Sequence, residues 1–169
     1  IINKHSNSYV NVSASLSTLD VEGNLIQTVP VSTPILYFPA GSVMPFGFYF
    51  PNGKADDVQF SLNITTGTEI SPEIENDLWQ ELSSEELIIE ESSTSIEIGI
   101  SIEEIPQNSY QIYTIGYVLD ENGTITGYRI KQQDVSDLTG PFTDTIKINS
   151  LDPEINSYEL YTFIRLRAD

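Results

Sequence analysis

The sequence predicts an all-β protein of sandwich type, built as two related units, and three observations predict it. Apolar and polar residues alternate in repeated short runs. Glycine and proline interrupt those runs at short intervals. One hairpin pattern occurs twice. Val10, Val12, Ala14 and Leu16 alternate with Tyr9, Asn11, Ser13 and Ser15, and Ile96, Ile98, Ile100 and Ile102 alternate with Glu97, Gly99, Ser101 and Glu103. Ile146 and Ile148 flank Lys147 in the same manner. A period of two buries one face of a strand and wets the other. Nine prolines and ten glycines punctuate the runs. Many short strands separated by such turns give a sandwich or barrel.

Taken in order, the chain divides into a first β-sandwich unit over 1–70, a linker over 71–84 and a second unit over 85–169. Within the linker, Ser71-Pro72-Glu73 reads as a helix start: a hydroxyl cap, proline at the first helical position and an acid near the positive helix end. Ile74, Leu78 and Leu82 follow at spacing four. Pro72–Leu82 is therefore expected as a short helix, or else as an irregular acidic linker, with Trp79 packed at the junction.

The repeated hairpin begins Asn7-Ser8-Tyr9 and ends Leu19-Asp20-Val21-Glu22-Gly23, then begins again at Asn108-Ser109-Tyr110 and ends Leu119-Asp120-Glu121-Asn122-Gly123. Aspartate opening a type I turn accepts backbone N–H bonds from residues ahead, and glycine supplies the positive φ that closes it. Pro45-Phe46 answers to Pro141-Phe142, and acidic turns (Asp56-Asp57; Asp152 with Glu154) precede closing strands around Phe60 and Leu62, and around Tyr158, Leu160 and Phe163.

These motifs resemble the FxLYD-type domain, over about Ser6–Ile64 and again about Leu87–Leu166. The resemblance implies two tandem immunoglobulin-like or fibronectin-like β-sandwich domains, of a kind found in secreted or surface proteins of bacteria and archaea, and so an extracellular or cell-surface location. The family's Tyr-Asp is Leu19-Asp20 and Leu119-Asp120 here, and the glycine before Pro-Phe is displaced in the first half (Gly41) but adjacent in the second (Gly140). The resemblance brings no catalytic residues.

The second unit has extra strands at its front, Leu87-Ile88-Ile89 and Ser95–Ile102, where the first has only Ile1-Ile2-Asn3. A sandwich short of strands exposes core and unpaired edges. Two readings stay open. The chain, which opens without Met or a signal pattern, is an excised piece of a longer product. Alternatively, a neighbouring subunit donates a strand, which makes Ile1, Ile2, Val10, Val12 and Leu16 a strand-exchange interface.

A formal charge of −18, with seven basic residues against 25 acids, leaves no cationic face for phosphates. Nucleic acid is excluded as a partner, and an anionic membrane surface would repel the chain. No apolar run approaches the roughly 20 residues of a membrane helix. Absence of cysteine excludes disulfides and thiol chemistry. His5 is the only histidine and lies in a polar start, so no Ser-His-Asp triad or histidine zinc site is expected. The acid pairs Glu85-Glu86, Glu90-Glu91 and Glu103-Glu104 sit where carboxylates face water. No catalytic centre or cofactor is expected. Calcium is the one metal considered: Asp120, Asn122 and Thr124 have the one-three-five oxygen spacing of a calcium loop, although the turn itself explains Asp120. Asn11, Asn63 and Asn122 begin N-glycosylation sequons. Nine tyrosines read as half-buried sheet surface or as a carbohydrate-stacking face. The expected role is a non-catalytic structural or adhesive surface protein, its partner another protein or itself. The alternative is a ligand-binding accessory module.

Overall fold

The computed structural model describes residues 1–50, 58–136, 138, 140–151 and 154–167. They are all-β apart from one short helix, and the chain divides into two compact units, Ile1–Ile74 and Glu75–Asp169. The acidic turns expected at Asp56-Asp57 and at Asp152 lie outside the described residues.

The first unit is one antiparallel sheet of β1 (Ser8–Leu19), β2 (Leu25–Pro30), β3 (Ile35–Phe38) and β4 (Gln59–Ile70). β1 is central. One of its edges takes β2 along its second half (Leu16↔Val29) and β3 along its first (Val10↔Tyr37); the other takes β4 (Leu16↔Leu62). The register against β4 slips between Val10 and Ser13, where Asn11 adopts a left-handed φ of 52°. Asparagine is among the few residues with a side chain that tolerate that conformation, and bulges use it. Ile1–Asn3 is paired within the same chain. Asn3 N–H donates to Ser42 O and Met44 N–H to Ile1 O, each at 2.9 Å. Asn3 is buried. Its Nδ2 donates to Asn7 O, Phe38 O and Pro39 O at 3.0–3.2 Å, which pins this segment to the end of β3. Ile35 and Met44, both fully buried, anchor the core with Val12 and Ala14.

The second unit is two sheets around one core. β6 (Glu85–Glu91), β7 (Ser95–Ile102) and β10 (Phe142–Asn149) form one, in the order β10-β7-β6. β5 (Trp79–Glu81), β8 (Ser109–Leu119), β9 (Ile125–Asp134) and β11 (Ser157–Leu166) form the other, in the order β5-β11-β8-β9. The alternation read in β7 is its burial: Ile96, Ile98, Ile100 and Ile102 are at most 2% exposed and pack with Ile112, Val118 and Ile164 from the facing sheet. Each such isoleucine contributes about 1.5–3 kcal/mol through removal from water. Two close approaches tie the layers. Lys131 Nζ on β9 reaches Asp144 Oδ1 on β10 at 2.6 Å. Gly127 on β9 lies so near the end of β10 that a Cβ there would sit 2.0 Å from Asn149 O.

Several expectations change in detail. The helix α1 spans Pro72–Leu78, not Pro72–Leu82. It stops because Trp79–Glu81 pairs with Arg165–Phe163 of β11, so three residues of the expected linker belong to the second unit's sheet. Trp79 is buried on that sheet, edge-on to Tyr113 at 6.3 Å with Arg165 over its ring. Pro141-Phe142 opens strand β10, whereas Pro45-Phe46 lies in no strand, between isolated bridges at Val43 and Phe48.

Candidate binding face

The register of β1 against β4 decides which side chains share a face. Thr18 lies opposite Phe60, Leu16 opposite Leu62 and Ala14 opposite Ile64. Ala14 and Thr18 are buried, yet Phe60, Leu62 and Ile64 are 47%, 41% and 53% exposed. Phe60 packs edge-on against Phe50 at 6.5 Å; Leu62 and Ile64 present branched apolar side chains to water. At the Ile64 end the face deepens into a groove of about 290 Å³, lined by Ile1, Ile2, Val12, Phe38, Ile64 and Gly67 among others.

The strands of this surface carry almost no charged side chains. β1, β2 and β3 contain no Asp, Glu, Lys, Arg or His, nor does the segment 43–50, and β4 has none before Glu69. Glu69 lies at the far end, where it accepts from Asn7 Nδ2 and, at 3.4 Å, from Tyr9 OH. In a chain of formal charge −18 this is a segregation. Two cations against six acids give the first unit −4, and five against nineteen give the second −14.

β4 is an edge strand among the described residues. Among the described residues it pairs with β1 alone, along its full length, and Ser71 and α1 follow it directly. The second unit treats its edges differently. β5 covers one end of β11, and the edge strand β6 carries Glu85, Glu86, Glu90 and Glu91 around Leu87, Ile88 and Ile89. Charged residues on an edge are the usual defence against strand addition.

The residues singled out in the sequence fare unevenly. The proposed strand-exchange set is only partly open: Val12 is 3% exposed, Val10 and Leu16 are half-buried, and Ile1 is paired to Met44, leaving Ile2 exposed. The reason is local, since Ile1–Asn3 and Phe38 cover that end of the sheet. The open area is β4, which alternation alone did not mark. The signal that could have found it is the absence of charge over residues 59–68 in so acidic a chain.

Asp120, Asn122 and Thr124 do come together in one hairpin. There Asp120 Oδ1 accepts the N–H groups of Asn122 and Thr124, each at 2.8 Å, and Gly123 takes φ 74°. Asp20 Oδ1 accepts from Glu22 and Asn24 at 2.9 and 2.8 Å, with Gly23 at φ 87°. The two turns are the same device. Its carboxylate oxygen is occupied by the backbone, and among the described residues no group of three or more His, Cys, Asp or Glu is placed to hold a metal ion. Hydrogen bonds from Asn24, side chain first, hold the Asp20 carboxyl below its ordinary pKa. Asn11, Asn63 and Asn122 are all exposed: on the bulge, on β4 and at a hairpin tip. His5 is exposed and packs edge-on to Tyr9, and the paired acids 85–86, 90–91 and 103–104 are exposed.

Two tyrosines of the second unit share one carboxylate. Tyr117 and Tyr161 stack at 6.2 Å, Tyr161 and Phe163 at 6.4 Å, and both phenols donate to Glu159 Oε2, at 2.6 and 2.7 Å. Burial, followed by that hydrogen bond, pushes the Tyr117 phenol well above the usual range. The Tyr117 hydroxyl, then that of Tyr161, holds Glu159 below the usual carboxylate range. No helix among the described residues is long and apolar enough to cross a membrane. Comparison with family models, with curated proteins and with solved structures finds no match to this chain.

Proposed function

We propose that this chain is a non-catalytic structural or adhesive protein of a prokaryotic cell surface, made of two related immunoglobulin-like modules. In this reading its first module joins an assembly by protein–protein contact. The matching Asp-x-x-Gly turns and the shared antiparallel pairing of β1 with β4 and β8 with β11 support relatedness. The observation that carries the role is the first-unit sheet, almost without charged side chains, with Leu62 and Ile64 exposed. Exposed contiguous apolar surface of this sort marks an interaction site.

The test is whether the full chain assembles. Sedimentation velocity and negative-stain microscopy across a hundredfold concentration range are expected to show species larger than the monomer. A chain monomeric throughout would overturn the assembly reading. If such a monomer also bound sugars on a glycan array, the alternative of a carbohydrate-binding accessory module would take its place.

A further inference from the structure

We infer that Lys131 and Asp144 condense to an amide, an isopeptide bond that ties the two sheets of the second unit together; it is independent of the assembly reading above. The placement of the two side chains leads there. Asp144 shares its face of β10 with the buried Ile146 and Ile148 and lies opposite the buried Ile100 of β7, while Lys131 lies opposite the buried Thr114 of β8. Each turns inward from its own layer, and they meet where β9 runs beside β10. Lys131 Nζ is 2.6 Å from Asp144 Oδ1 and also donates to Thr145 O at 3.0 Å, which fixes its approach. The Asp144 side chain is 12% exposed, and its Oδ2 is buried with no hydrogen-bond partner among the described residues.

The chemistry balances within the pair. A proton passes from the ammonium to the carboxylate along their hydrogen bond. The Nζ lone pair adds to Cγ and forms the new C–N bond. One C–O bond then breaks, and its oxygen leaves as water, carrying the carboxyl proton and one proton from nitrogen. No oxidant or further reactant enters. Three effects favour this outcome. Desolvation costs a buried ion pair much of its attraction, and an amide has no charge to desolvate. A buried, unpaired carboxylate oxygen is itself costly, and condensation expels one of the two oxygens. Reactants held in contact behave as if highly concentrated. Lys147 supplies the contrast. It lies 3.8 Å from Glu90 and 4.0 Å from Glu97, on the exposed side of β10, and should stay a free amine. In a chain without cysteine, the Lys131–Asp144 bond takes the part of a disulfide, closing a loop that the unfolded chain cannot open.

Mass spectrometry of the full chain, held folded at neutral pH, tests this. The intact mass should fall short of the sequence mass by one water. After denaturation, trypsin should leave the bond after Lys131 uncut and release Ile130–Lys147 as one looped peptide, lighter by one water. Lys131→Arg keeps the charge without a reactive amine and should restore the full mass; Asp144→Ala should do the same. The peptide map of the unaltered chain decides the matter even if either variant fails to fold. A full intact mass with normal cleavage after Lys131 would overturn the bond and leave an ordinary ion pair. Loss of water that persists in Lys131→Arg would overturn it too, by placing the dehydration elsewhere.

Discussion

The two units set the same hairpin into different surroundings. Beneath β8 and β11 of the second unit lies a full opposing sheet, and Tyr158 and Leu160 pack into its core. Among the described residues of the first, Ile1–Asn3 and the strandless 39–50 take the place of such a sheet, and Leu62 and Ile64 stay exposed. Counting from the shared turn, Leu16 stands where the second unit has Gly116, and Gln27 where it has Gly127. The glycines mark where a second layer presses close. A Cβ on Gly116 would lie 2.6 Å from Ile148 and 3.0 Å from Leu160. One chain thus shows what a sheet needs when it is covered, small residues at the points of contact, and what it tolerates when it is not.

That contrast breaks most readily at Gly127. Gly127→Gln installs the first unit's residue against the backbone of Asn149. It should cost about 4 kcal/mol or more, because neither partner can give way. Gln27→Gly should cost no more than about 1 kcal/mol. Urea unfolding followed by the fluorescence of Trp79, buried in the second unit, reads the first; hydrogen exchange of β1 amides reads the second. Core truncation sharpens the same point. Ile98→Ala, fully buried, should lose about 3 kcal/mol, whereas Ile64→Ala, 53% exposed, should lose less than about 1 kcal/mol in the monomer. Gly116→Leu comes next, at about 2 kcal/mol, since it meets side-chain ends that can shift.

The smallest effect is electrostatic. Glu159 has a lowered pKa in the folded chain. Its stabilising contribution is therefore present above the ordinary glutamate value of about 4.3 and is lost as pH falls through the depressed folded value. Glu159→Gln should flatten that part of the acid-unfolding curve and leave the curve's shape near neutrality unchanged, as seen by Trp79 fluorescence against pH.

Strand content was legible because the buried alternation of Ile96–Ile102 is written without exceptions, and the Asp-x-x-Gly turns were legible because one carboxylate and one glycine suffice to make them. The start of α1 was legible for the same local reason; its end was not. Trp79 leaves the helix to pair with β11, more than eighty residues away in sequence, and no local pattern records that contact. The open face was misplaced for a similar reason. Alternation says which residues of β1 point to a core, not whether Ile1–Asn3 folds back over them or Leu62 and Ile64 stay exposed.

The scarcity of charge on the first unit's strands has a consequence for ionic strength. Whatever approaches that sheet meets few charged groups there, so dissolved salt has little to weaken at the point of contact. The net negative charge elsewhere still opposes any acidic visitor, a duplicate molecule included, and ions shorten the reach of that opposition to about 8 Å at physiological concentration. Added sodium chloride should therefore strengthen attachment at this sheet, the reverse of its action on complexes held by opposite charges.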